Sequence, residues 1–167
     1  SLKGGGTQKS VELIVKNIAL TVKYTIITSP YDLDKTRIHD SSNLYKIFRP
    51  NTILELLKII KLIFHSKSVY FNSFFSKKNT IFFLLFSKIF KKKIILSPRG
   101  ELYSDNLNLK KKIYITFFKL FLKNNVFFHV TSQDEKQELI NILGVSNSLI
   151  TLIPNLVNSK STNPVKS

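Results

Sequence analysis

The sequence predicts an α/β domain with a Rossmann-like parallel sheet and helices on both of its faces. Short runs rich in β-branched and aromatic residues alternate with longer helical patterns at intervals of roughly 25 residues. Parallel strands need crossover connections of this length, whereas antiparallel strands can be joined by tight hairpins. The 167 residues are 43% hydrophobic and include 14 Phe, enough apolar surface for one sizeable core.

Six segments have the composition of strands. The segment 44–48, LYKIF, is the weakest of them, because it follows a loop rich in Pro and Asp. The other five are 22–28, 68–72, 93–97, 126–131 and 149–154.

Apolar residues at helical spacing predict four helices between these strands, at 52–64, about 79–90, 110–123 and 133–143. Gly144 stands where a helix commonly ends in a left-handed residue. The first and third helices carry lysines on one stripe. We interpret them first as core helices with a solvated lysine face; the alternative is a membrane-surface face, in which Phe and Leu enter the headgroup boundary.

Three glycines, Gly4, Gly5 and Gly6, come directly before a helical pattern at 7–20. A glycine loop at a helix N-terminus can bring free N–H groups close to a phosphate. The spacing fits neither the dinucleotide nor the Walker signature, so a flexible turn is the alternative. Such a loop normally follows a strand, and the chain contains no Met. We therefore expect that a first strand before Ser1 is missing.

The net charge of +16 predicts attraction to phosphates on nucleic acid, anionic lipid or a small molecule. Only three of the 26 basic residues are arginine, and lysine does not read bases through a bidentate fork, so specific nucleic-acid recognition is disfavoured. No acidic residue lies between Glu55 and Glu101, which predicts one strongly positive side.

There is no Cys and the three His are far apart, so neither a disulfide nor a metal site is expected. No segment is long enough to span a bilayer, and a cytoplasmic location is expected.

The segment SPRGEL at 97–102 is the strongest candidate site. It follows a predicted central strand, at the edge where open α/β sheets place their ligand crevice. Arg99, Gly100 and Glu101 there combine a fixed cation, a residue that permits close approach and a carboxylate. The alternative is a surface pair of Arg99 and Glu101 that shapes a loop.

A second candidate region follows the strand at 126–131. Ser132 and Glu135 have the spacing of a capping box, in which a side chain and a backbone N–H satisfy each other reciprocally. His129 lies on the strand just before them. We expect it to be a buried histidine with its hydrogen bonds satisfied.

Four segments in this order are KGGGTQKSVELI at 3–14, IILSPRGELYSDNLNLKKKIY at 94–114, FHVTSQDEKQEL at 128–139 and LIPNLVN at 152–158. Together they resemble the N-terminal, acceptor-side domain of a retaining GT-B glycosyltransferase, family-four-like, of the Ser-Pro-Arg-Gly subgroup. The resemblance covers most of the chain. It implies a Rossmann-like domain at 1–158, one half of a GT-B fold, followed by a linker or tail at 159–167.

The resemblance also implies roles for individual residues. Arg99 and Glu101 would make the catalytic contacts with the acceptor or the transition state. Many relatives have a histidine at this turn, and this chain does not. The residues implied in substrate binding are Gly4, Gly5, Gly6, Gly100, His129, Ser132, Glu135 and Asn155.

The implied activity is transfer of a sugar from a nucleotide-diphosphate donor to a glycan or lipid-linked acceptor in cell-surface polysaccharide synthesis, without a cofactor or metal. The resemblance implies a second, C-terminal domain as partner, without which this chain would be inactive. The basic face suggests an additional partner, the anionic inner surface of the cell membrane. The alternative is a non-catalytic basic α/β domain that binds polyanions, either RNA or an anionic membrane.

Overall fold

The computed structural model describes residues 24–27, 45–48, 52–75, 79–103, 107–122 and 124–154. Within them lie two parallel sheets. Strands β1 (Tyr24–Ile27) and β2 (Tyr45–Phe48) pair with each other. The larger sheet has four parallel strands in the order β3-β4-β5-β6. Together with the helices between these strands, it confirms the α/β, Rossmann-like fold class.

The elements of the larger sheet alternate as the sequence predicts. The helix α1 precedes the sheet, and a short 3-10 helix, Asn147–Leu149, leads into its last strand. The bounds are α1 Ile53–His65, β3 Ser68–Phe71, α2 Asn79–Ile89, β4 Lys93–Leu96, α3 Leu109–Phe121, β5 Val126–Val130, α4 Gln133–Leu143 and β6 Ile150–Leu152.

Local capping explains where several helices begin and end. Thr52 and Glu55 form a capping box at the start of α1, with the Glu55 N–H donating to Thr52 Oγ1 at 3.3 Å and the Thr52 N–H donating to Glu55 Oε2 at 3.0 Å. The Asn108 side chain caps α3 by accepting the Lys111 N–H at 3.0 Å. Gly144 ends α4 with φ +61°, as its position predicts.

The core lies on one face of the larger sheet. Residues of β4 and β5 that point to this face, such as Leu96 and Phe128, are buried. All three crossover helices contribute to the same core, as expected when consecutive parallel strands are joined by right-handed connections. Phe118 of α3 lies at its centre, with its ring centroid 4.9 Å from that of Phe74 and 6.3 Å from that of Phe128.

The opposite face of the sheet is more open. The two-residue period of a strand directs Tyr70, Phe127 and His129 to this face. The side chains of Tyr70 and Phe127 are exposed, while His129 is buried. The Tyr70 ring is therefore accessible close to the carboxyl end of its strand, whereas the Phe127 ring lies nearer the amino end of β5.

The first turn of α3 has an unfavourable charge for the N-terminal end of a helix. It contains Lys110, Lys111 and Lys112 and no acidic residue. Because the N-terminal end of a helix carries a partial positive charge, each cation there is disfavoured by about 0.3–1 kcal/mol.

In the described part of the chain, no helix is long and apolar enough to cross a membrane.

Candidate functional site

Three turns meet at the carboxyl edge of the larger sheet, where parallel α/β sheets bind ligands. They follow β3, β4 and β5, and comprise 72–75, 97–102 and 131–132, the last of which leads directly into the first turn of α4. The Ser97 N–H continues the ladder beyond β4 by donating to the Phe71 carbonyl at 2.8 Å. Side-chain hydrogen bonds then connect all three turns.

The turn after β4 has an unusual backbone. The Glu101 N–H donates to the Pro98 carbonyl at 3.2 Å, which closes a four-residue turn. Both central residues have positive φ, +55° at Arg99 and +73° at Gly100, as in a type I′ turn. Glycine adopts this conformation freely, whereas it costs an arginine about 1–2 kcal/mol. Such strain persists only where surrounding contacts enforce it.

Glu101 connects this turn to the turn after β3. Its carboxylate accepts the Ser73 hydroxyl at 2.7 and 3.0 Å, the Phe74 N–H at 2.6 Å and the Phe75 N–H at 2.9 Å. Two consecutive backbone donors and a hydroxyl thus converge on one carboxylate. This arrangement fits a positioning role for Glu101; the catalytic role implied by the resemblance stays a prediction.

Glu135 connects the same turn to the turn after β5. Its buried carboxylate accepts the Gly100 N–H at 2.7 Å, the Thr131 N–H at 2.7 Å and the Thr131 hydroxyl at 3.0 Å. The expected capping box is therefore only half formed. Ser132 accepts the Glu135 N–H at 3.1 Å, but the carboxylate reaches across to the neighbouring strand's turn.

Arg99, held in this turn, begins a chain of hydrogen bonds over the open face of the sheet. Its Nε donates to Asn72 Oδ1 at 2.8 Å and its Nη2 to the Tyr70 hydroxyl at 3.3 Å. The Tyr70 hydroxyl lies 2.9 Å from His129 Nδ1, and His129 Nε2 lies 3.1 Å from the Ile153 carbonyl. A carbonyl only accepts, so Nε2 carries the proton and Nδ1 accepts from Tyr70.

The surroundings of His129 keep it neutral. Burial lowers its pKa below the usual 6.5, and the nearby charge of Arg99 lowers it further. The hydrogen bond to the Ile153 carbonyl and the charge of Glu135 act in the opposite direction but do not reverse the shift. The expected buried, hydrogen-bonded histidine is what the structure contains.

This lowered pKa predicts a pH dependence of stability. The unfolded chain binds a proton at His129 more readily than the folded chain does. The free energy of unfolding should therefore be at its full value above about pH 6.5 and should fall as the pH drops through the lower pKa of the folded state. Urea unfolding between about pH 5 and pH 8 measures this.

In the His129→Asn variant, the part of the pH dependence due to this residue should disappear. The matched control is His65→Asn, at an exposed position at the end of α1, which should keep the dependence of the unmodified chain. Identical pH profiles for the unmodified chain and His129→Asn would contradict the assignment.

Gly100 is constrained both by its backbone and by a neighbour. A Cβ at this position would lie 3.1 Å from Tyr103 Cε2, and the φ of +73° disfavours any side chain. Gly100→Ala should lower the free energy of unfolding by about 1–2 kcal/mol and speed hydrogen exchange of the Glu101 amide, because the turn loosens.

Gly144→Ala is the control for Gly100→Ala. Gly144 has a similar φ of +61° with no atom near its Cβ position, so this variant carries the backbone cost alone. It should leave exchange of the Glu101 amide unchanged. An unaltered stability of Gly100→Ala would refute the strained-turn description.

The structure brings together six of the residues predicted from sequence: Arg99, Gly100, Glu101, His129, Ser132 and Glu135. The other four, Gly4, Gly5, Gly6 and Asn155, lie outside the described residues. Among the residues that are described, no three histidine or carboxylate side chains come together as metal ligands do.

Sequence reasoning missed Tyr70 and Asn72, the two partners of Arg99. Their position could have indicated them, because both lie at the end of a predicted strand that neighbours β4. Parallel strands end at the same edge of a sheet, so these residues come close to the turn after β4. The resulting site presents a planar cation and an exposed tyrosine side chain, and the hydroxyl of that tyrosine bonds to a buried, neutral imidazole. Such groups can bind and orient an anionic or hydroxyl-bearing ligand.

No family model, curated protein or solved structure matches the chain significantly. The resemblance to glycosyltransferases therefore stays a prediction, carried by the quoted motifs.

Proposed function

We propose that this chain is the acceptor-side domain of a retaining GT-B glycosyltransferase. The complete enzyme transfers a sugar from a nucleotide-diphosphate donor to a glycan or lipid-linked acceptor, as in cell-surface polysaccharide synthesis. The partner domain supplies most of the donor site, and this chain alone is inactive. The enzyme works on the cytoplasmic side, at the periphery of the membrane.

One observation supports this proposal above the others. The rare Arg99 stands in a strained turn at the carboxyl edge of a parallel sheet, and two carboxylates on different elements hold that turn. Backbone strain of this kind is concentrated at functional sites. The same turn carries the Ser-Pro-Arg-Gly resemblance.

In the proposed mechanism, Arg99 contributes charge and the other residues position it. Departure of a nucleotide diphosphate leaves negative charge, and a preorganised guanidinium stabilises that charge more strongly in a site shielded from water. Its Nε and Nη2 donate to the neutral acceptors Asn72 and Tyr70, and these contacts orient the guanidinium. Glu101 and Glu135 keep the turn in place.

The test is Arg99→Ala in the complete enzyme. We expect transfer of a labelled sugar to fall by at least ~10-fold, a loss of ~1.4 kcal/mol of transition-state stabilisation, with the unfolding transition preserved. The matched control is Lys93→Ala, which removes a cation from the opposite end of the same strand and should leave the rate unchanged.

An unchanged transfer rate for Arg99→Ala, with normal stability, would show that Arg99 only shapes the loop and has no role in transfer. The proposal as a whole fails if the native protein has no second Rossmann-like half with two spaced glutamates. The chain would then be a basic domain that binds polyanions.

A further inference from the structure

Helix α3 has a second apolar face that points away from the core. Ile115 and Phe118 are buried against the sheet, as a single amphipathic face requires. On the other side, Leu109, Ile113 and Leu120 are 74%, 63% and 72% exposed. These three positions are four and seven residues apart, so they form one continuous ridge along the helix.

Lysines flank this ridge on both sides. Lys112 and Lys119, seven residues apart, follow one edge and Lys110 lies at the other, all exposed. No acidic residue occurs anywhere in α3. The cluster of lysines in the first turn is unfavourable for the helix itself, because the helix dipole repels cations there. An external anionic partner would offset that cost.

We propose that the outward face of α3 docks this protein on an anionic lipid bilayer, with Leu109, Ile113 and Leu120 in the headgroup boundary and the lysines at the lipid phosphates. An apolar ridge bordered by cations has the composition of an interfacial helix. An RNA-binding surface would instead present arginine side chains and aromatic rings on which bases stack, and aliphatic side chains do not provide such stacking. The lipid surface is therefore the partner whose chemistry fits the whole face.

The docked helix also adjoins the candidate site. In α3, Lys111 Nζ lies 5.0 Å from the centroid of the Phe75 ring, and the Tyr114 ring centroid lies 5.3 Å from it. The Phe75 N–H in turn donates to Glu101 at 2.9 Å. Docking through α3 therefore holds the carboxyl edge of the sheet near the bilayer. The inference deepens the proposed function and rests on it for the identity of the acceptor as lipid-linked.

The chain has no Trp, so a single introduced Trp reports its own surroundings. In Ile113→Trp, emission should shift to shorter wavelength when the full chain meets phosphatidylcholine vesicles that contain phosphatidylglycerol, and not with phosphatidylcholine alone. Leu54→Trp is the control, because Leu54 is an apolar residue at least as exposed, at 71%, on α1, whose first turn contains the acidic Glu55. It should give no shift.

Binding affinity separates the two parts of the face. The double variant Ile113→Ser with Leu120→Ser should weaken co-sedimentation with phosphatidylglycerol vesicles by at least ~10-fold. Lys112→Gln with Lys119→Gln should weaken it roughly 30-fold. The control on α1, Leu54→Ser with Leu57→Ser, should bind as the unmodified chain does.

Three results would overturn the inference. The first is vesicle binding that survives the serine variant on α3, which would leave only a basic surface. The second is equal loss in the α1 control. The third is binding of single-stranded RNA without binding of vesicles. None of these assays involves sugar transfer, so failure here is distinct from failure of the transferase proposal.

Discussion

Glu101→Ala should lower the free energy of unfolding by about 2–4 kcal/mol. It should also loosen the turns that form the candidate site. The substitution removes the acceptor of the Phe74 and Phe75 N–H groups and of the Ser73 hydroxyl. Phe74 is fully buried, so its backbone donor has little access to water as a replacement. Stability falls because buried N–H donors are left without an acceptor. This destabilises the folded state by more than the hydrogen bonds stabilise it on balance.

Urea unfolding measures this loss, and amide hydrogen exchange locates it. Exchange at Phe74 and Phe75 should accelerate in Glu101→Ala. Glu101→Gln should lose less, since one oxygen remains to accept from the backbone. The control is Glu55→Ala, where the side chain accepts the Thr52 N–H in an exposed capping box and a loss of about 1 kcal/mol is expected. An equal loss in both alanine variants would contradict the anchoring role of Glu101.

The local features of the fold were predictable because they depend on neighbours in the sequence. The end of α4 at Gly144 follows from glycine's access to positive φ, and the strands follow from their period and composition. The alternation of strands and helices was enough to place the turn at 97–102 on the carboxyl edge of a parallel sheet.

The tertiary contacts of the site were not predictable in the same way. Arg99 bonds to residues 27 and 29 positions away, and the Gly100 N–H bonds to Glu135, 35 positions away. Spacing alone assigns Glu135 to its own helix N-terminus, where a capping box is the usual result. The carboxylate instead accepts from the strained turn, because the packing of adjacent strands brings that donor within reach. Likewise, arginine has no intrinsic preference for positive φ that could reveal the conformation of Arg99.

Glu135→Gln should lower the free energy of unfolding by about 2–3 kcal/mol and release the turn that holds Arg99. The carboxylate uses one oxygen for the Gly100 N–H and the other for the N–H and hydroxyl of Thr131. A glutamine replaces one of those oxygens by an NH2 group, which faces donors whichever way the amide is turned. Either the Gly100 side or the Thr131 side of the bridge must therefore open.

Glu138→Gln is the control for this variant, because it makes the same chemical change one turn away on α4, outside the bridge. It should change stability by less than about 0.5 kcal/mol. Amide exchange at Gly100 and Thr131 should accelerate in Glu135→Gln and stay unchanged in Glu138→Gln. If both amides remained protected in Glu135→Gln, the turn at 98–101 would be stable without Glu135, and a carboxylate on a second element would not be needed to position Arg99.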